Sequence, residues 1–285
     1  MLSTLIAAAL LSSGEAQAFF PDDISLTSMA SFSGNPVEPE DVSLAYREVV
    51  REMGAAAANK PGAPVETLGI NGFGVGVDST FSFISADIDG SDPSSWQRAH
   101  EDNDPSGIMW VPKIVVQKGL PISLELGGSI GYVGFSRQTL LSGWGRWGLL
   151  EGYRKAPDIN IQAGYSGLVG NDELELGVMD FSFNIGYSLP FGTIAGINET
   201  KFSPYGGIGR LYIHAAPRLS EADQEDLGVA PISGFKDADS YDEEFRPLQV
   251  HGGFQITKGA FQFHSAMAYS IGTLSSVNLG LGFVY

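Results

Sequence analysis

Val277-Asn278-Leu279-Gly280-Leu281-Gly282-Phe283-Val284-Tyr285 is the stretch on which the fold turns. Val277, Leu279, Leu281, Phe283 and Tyr285 occupy every second position, with Asn278, Gly280, Gly282 and Val284 between them. In a β-strand these two sets point to opposite faces, so one face is wholly apolar and the other small or polar. In water such an edge strand invites aggregation. A closed barrel in a bilayer removes the edge and gives the apolar face hydrocarbon to meet.

The composition fits that expectation. A chain of 285 residues allows one or two domains. It has 37 glycines, 17 phenylalanines and 10 tyrosines, and only 17% of its residues are charged. Mean hydropathy is +0.04, too low for a helical membrane protein. After the N-terminus no apolar run approaches the ~20 residues of a transmembrane helix. A barrel escapes that test, because only alternate residues face lipid. The absence of cysteine excludes disulfides, thiolate catalysis, Cys-ligated metals and a lipoprotein anchor. A net charge of −17 argues against a nucleic-acid partner, which needs a basic footprint.

Residues 1–18 read as a secretory signal, with Leu5 to Leu11 as the apolar core and Ala16-Gln17-Ala18 as the cleavage site. The leader departs from the usual pattern in having no Lys or Arg. Residues 19–65 are expected to form a periplasmic N-terminal segment with one helix near 39–59. There Pro39, Glu40 and Asp41 suit a first turn, and Val42, Tyr46, Val49, Val50 and Met53 form an apolar stripe. A plug in the lumen and a periplasmic partner for this helix are the alternatives, since amphipathicity names no partner.

From Leu68 onward the period is two. Strands are predicted near 71–85, 108–117, 122–135, 144–152, 159–168, 176–187, 202–215, 247–257, 260–271 and 277–285, the fourth being the least regular. Each is close to the ~9–11 residues a tilted strand needs to cross a bilayer. The fold class is therefore all-β: a closed antiparallel transmembrane β-barrel over 66–285, with about ten strands. Eight or twelve follow if the fourth strand and the 188–201 connection are divided differently. An even count puts both barrel ends on one side, expected to be periplasmic, with the two long loops outside.

The terminal pattern resembles the C-terminal signature of bacterial outer-membrane β-barrels, an aromatic last residue preceded by alternating apolar positions. The resemblance implies that Leu279, Leu281, Phe283 and Tyr285 are read by the barrel-assembly machinery. It also implies residence in the bacterial outer membrane, among its lipids and lipopolysaccharide. It identifies no narrower family.

The residues expected to line the lumen are Lys113, Glu125, Asp180, Arg210, His214, His251 and His264. Lys113 and Glu125 are expected to lie nearly opposite across the 118–121 turn, and Asp180 and Arg210 across the next long connection. Such pairs are read first as a packed polar plug and second as the lining of a narrow small-solute channel. Three inward histidines invite a metal reading, but no His-x-His or His-x3-His spacing occurs, so no metal or cofactor is expected.

The long loops are acidic. Ala86–Gly107 carries Asp87, Asp89, Asp92, Glu101, Asp102 and Asp104, and Ala216–Arg246 carries nine acids. They read as solvated loops, because 87–92 has only part of a calcium-loop spacing and no closing Glu. A binding surface built from these loops is a lower alternative. Nucleotide, zincin and hydrolase motifs are absent. The His100-Glu101-Asp102 cluster is too common to carry a triad, so the expectation is a structural or passive barrel rather than an enzyme.

Overall fold

The computed structural model describes residues 24–32, 35–60, 65–86, 93–100, 105–134, 136, 138–152, 156–191, 200–235 and 243–285. The proposed signal, 1–18, and the run 87–92 lie outside them. Ten antiparallel strands close on themselves: β1 (Phe73–Phe83), β2 (Ile108–Leu120), β3 (Leu124–Tyr132), β4 (Thr139–Leu150), β5 (Asp158–Val169), β6 (Leu174–Gly186), β7 (Thr200–Pro217), β8 (Leu248–Lys258), β9 (Phe261–Ser270) and β10 (Leu274–Val284). Each pairs with its neighbour in sequence, and β10 pairs with β1 from Ser275↔Phe83 to Val284↔Gly74. Beyond that ladder, Phe73 and Tyr285 exchange both backbone hydrogen bonds at 2.8 Å. The quoted stretch is the closing strand.

The outer face is apolar. Val77, Ile114, Leu126, Ile130, Ile208, Leu279 and Leu281 stand exposed along the middle of the wall. Phe73, Trp147, Phe261, Phe283 and Tyr285 ring the end that carries the short turns, while Phe83, Trp110, Tyr132 and Tyr269 ring the end that carries the long loops. An apolar band between two aromatic girdles is the surface of a membrane-spanning barrel. No described helix is long and apolar enough to cross a membrane.

The count of ten holds, but β4 begins earlier than 144. Trp144 turns into the lumen and Trp147 faces out, and the register slips between Gly148 and Leu150. A bulge of this kind breaks the alternation on which the expectation relied. The long 188–201 connection is partly strand: Leu189–Phe191 pairs with Thr200–Phe202 and continues the β6–β7 hairpin.

The helix α1 (Pro39–Ala57) forms nearly where predicted, with Pro in its first turn and Glu40 and Asp41 at its positive end. Within the fold it takes the place of a plug in the lumen. α1 sits in the loop end of the barrel, and Val42, Tyr46, Val49, Val50 and Met53 are all buried. They share one cluster with inward residues of the wall, among them Leu140, Leu168, Leu176, Val178, Leu211, Ile213 and Leu274. Each large apolar side chain buried this way contributes about 1.5–3 kcal/mol. The physical reason is plain: a helix carrying such a stripe must cover it, and the loop half of the lumen supplies a matching apolar wall.

The fit is close. A Cβ at Gly54 would lie 2.6 Å from Cγ2 of Ile213. Gly54→Ala is therefore expected to destabilise the protein by about 1–3 kcal/mol through overpacking. Its urea midpoint in lipid bilayers should fall, and the cost of Gly54→Ala should shrink when it is measured in an Ile213→Ala background.

Above the barrel, the loops fold over α1. The short helix α2 (Ser95–Ala99) begins with a Ser94/Gln97 capping box. It buries Trp96, whose Nε1 donates to Glu52 of α1 at 2.8 Å. Helix α3 (Glu221–Leu227) lies in the second long loop.

Candidate functional site in the barrel lumen

After α1, the described residues 58–60 and 65–68 lie in the lumen as a strap. Three polar tiers hold it. At mid-height, Asn59 donates to Asp180 at 2.9 Å, and Lys60 donates to the carbonyl of Ala55. Nearer the turn end, Asn160 donates to the carbonyl of Val65 at 2.9 Å. Asn184 donates to Asn160 at 2.7 Å and receives His251 Nε2 on its Oδ1 at 2.6 Å. At the turn end itself, Glu125 accepts from the backbone N–H of Leu68 at 3.1 Å, and Glu151 from that of Thr67 at 2.9 Å.

Glu125 also forms an ion pair with Arg146, its register partner across β3–β4, and the two side chains are 0% and 4% exposed. Asp78 and His264 approach to 3.4 Å, and Asn278 lies 3.2 Å from His264 Nε2. Gly280 is required beneath them, because a Cβ there would sit 2.1 Å from the His264 ring and 2.3 Å from Asp78.

Lys60, Asp78, Lys113, Trp144, Arg146 and His264 line a cavity of about 30 Å3. That is room for one or two waters and not for a solute. The charges around it balance: Lys60, Lys113 and Arg146 stand against Asp78, Glu125 and Asp180. A selectivity filter gathers rings of one sign, whereas this set neutralises itself.

The structure brings together five of the seven residues expected in the lumen: Lys113, Glu125, Asp180, His251 and His264. Arg210 and His214 belong to the outer face, which corrects that part of the expectation. Leu211 and Ile213 take the inward positions of this half of β7 and pack in the α1 cluster. Arg210 is exposed and donates to the carbonyl of Arg246 at 3.3 Å, and His214 stacks on Tyr165, whose hydroxyl lies 3.2 Å from Nε2.

The expected partnerships change as well. Lys113 is in register with Asp78 on one side and Gly131 on the other, so it does not face Glu125. Asp180 is opposite Leu211, while Arg210 is opposite Phe181. Asn59 is the partner of Asp180 because the strap, not the neighbouring strand, fills the space in front of it.

Sequence reading missed Glu52, which is 1% exposed and accepts from both Trp96 and the backbone N–H of Ser85 at 2.9 Å. Its signal was a lone acid beside the apolar stripe of Val49, Val50 and Met53. It missed Asn59, Lys60 and Arg146 too. His100 is buried against Trp96, with Nδ1 2.8 Å from the carbonyl of Trp96, and Glu101 and Asp102 lie outside the described residues.

A closed, even-stranded antiparallel barrel with a lipid-facing belt, a polar lumen, short turns at one end and long loops at the other defines a class. The chain is a membrane-spanning β-barrel protein. No protein-family model matches the chain, and no curated protein does.

Among solved structures it is similar to the N-terminal β-barrel domain of Pseudomonas aeruginosa OprF, at 10% identity over 76% of this chain and 99% of that one, with a TM-score of 0.27. LpxR from Salmonella typhimurium gives 9% identity, 74% and 99% coverage, and a TM-score of 0.33. The transport unit of the autotransporter AIDA-I from Escherichia coli gives 8%, 87% and 98%, and 0.33. These likenesses are low, and the class rests on this chain's own strand pairings and outer surface.

Proposed function

We propose that the protein is a structural, non-conducting barrel of the bacterial outer membrane, sealed by its own N-terminal strap. The observation that carries this reading is the lumen itself: α1 packs in the loop half, and at mid-height the described residues leave a cavity of about 30 Å3 beside the strap and its neutral ion set. The five lumen residues Lys113, Glu125, Asp180, His251 and His264 then have a packing role: they hold the strap and order the interior. The test is planar-bilayer recording of the intact protein, where no stable conductance steps are expected. Steps from the intact chain would favour a narrow small-solute channel instead.

In this reading the turn end faces the periplasm, and lipopolysaccharide and other outer-membrane lipids surround the belt. The barrel-assembly machinery recognises Leu279, Leu281, Phe283 and Tyr285. Leu279, Leu281 and Phe283 share the outward face of β10, and Tyr285 bonds across the closing seam. Deleting Tyr285 should lower the amount of heat-modifiable barrel recovered from outer membranes more than it lowers the stability of barrel refolded in detergent. Normal recovery from membranes would count against the signature.

A further inference from the structure

The strap has a direction, and it is fixed at both ends. At the loop end, the backbone N–H of Ser25 donates to the carbonyl of Ala99 at 3.0 Å, and Thr27 donates through its hydroxyl to Glu173 in the β5–β6 loop at 2.7 Å. Leu26, Met29 and Trp96 are buried together in the cap over α1. At the turn end, Thr67 and Leu68 are held by Glu151 and Glu125. Between these anchors lie α1, Asn59 and Lys60. The chain therefore crosses the lumen once, from the loop end to the turn end, before the first wall strand starts at Phe73.

We infer that the barrel carries its own N-terminal segment to the cell surface, with residues 24–32 and 35–40 displayed among the long loops. The inference rests on the proposed outer-membrane orientation, in which long loops face outward. It adds a task to the closed barrel: the lumen is the route by which this segment reaches the outside, and the strap is what remains in the route.

The chain has no cysteine, so single cysteines report location cleanly. The positions are Ser31→Cys in the displayed segment, Ile271→Cys in a loop-end turn and Ile70→Cys at the turn end, all exposed. A membrane-impermeant maleimide applied to intact cells should label Ser31→Cys and Ile271→Cys as fully as it does after permeabilisation. Ile70→Cys should react only after permeabilisation.

Ser31→Cys behaving like Ile70→Cys would overturn the inference while leaving the sealed barrel standing. Labelling of Ile70→Cys alone in intact cells would overturn the orientation, and with it surface display. Glu40→Cys, exposed in the first turn of α1, replaces Ser31→Cys if that variant does not reach the heat-modifiable form.

Discussion

Removing residues 24–68 is expected to turn an electrically silent barrel into a conducting one. An α-helix with its side chains is ~10–12 Å across, and α1 occupies that width of the loop half. Its removal, with the strap, exposes Asp78, Lys113, Asp180, His251 and His264 to a lumen that water can fill. The intact protein should give no stable steps in planar bilayers, and the shortened one should give discrete, voltage-tolerant steps.

The loop half adds a refinement. Its inward Leu176, Val178, Leu211 and Ile213 form an apolar patch on the adjacent strands β6 and β7 once α1 is gone, and apolar lining resists wetting. Leu211→Ser with Ile213→Ser in the shortened chain should therefore enlarge the steps further. A shortened protein that is heat-modifiable, and so folded, yet silent would contradict the strap as the seal.

The second large effect is expected at the Glu125–Arg146 pair. Its two charges are withdrawn from water and held in register across adjacent strands. Removing one partner leaves the other buried and uncompensated, which costs about 3–5 kcal/mol. Glu125→Gln and Arg146→Met should each lower the urea midpoint in bilayers by that amount. Replacing both, Glu125→Leu with Arg146→Met, should cost much less, because the desolvation penalty disappears with the charges. An exposed pair gives the contrast. Arg47 and Glu244 also meet, but both are about one-third exposed, so Glu244→Gln should change stability by about 0–1 kcal/mol. Equal losses at the two sites would mean that the lumen is as wet as the surface.

Much of the wall was legible because a barrel strand has two dissimilar faces. The alternation in Ile122–Tyr132, Met179–Tyr187 and Val277–Tyr285 assigns facing without ambiguity. Tight turns such as Lys258-Gly259 mark the register. The helix was legible too, from Pro39 and the stripe of Val42 to Met53.

What the stripe covers was not legible, and that gap propagated. With α1 inside the loop half, the inward positions of β6 and β7 there are apolar, as at Leu176, Val178, Leu211 and Ile213, and the outward ones include Glu175, Arg210 and His214. In β7 this leaves Ile208 outward and Leu211 and Ile213 inward, so apolar residues occupy both parities within one strand. Period alone then places Arg210 and His214 on the wrong face. Lumen partners were misassigned for a related reason: hairpin symmetry pairs neighbouring strands, whereas Asn59 of the strap is the hydrogen-bond partner of Asp180. Glu52 shows the same limit, since an acid beside an apolar stripe reveals a buried partner only when the partner is known.

The central claim, that α1 lies within the wall of the barrel, is tested most directly by hydrogen exchange of the full chain in lipid nanodiscs. Backbone amides of a helix enclosed by a closed sheet can exchange only when the enclosure opens. Amides of 45–57 are expected to be protected on the same timescale as those of β6 and β7. Exchange of 45–57 orders of magnitude faster than the strands would place the helix in solvent and contradict it.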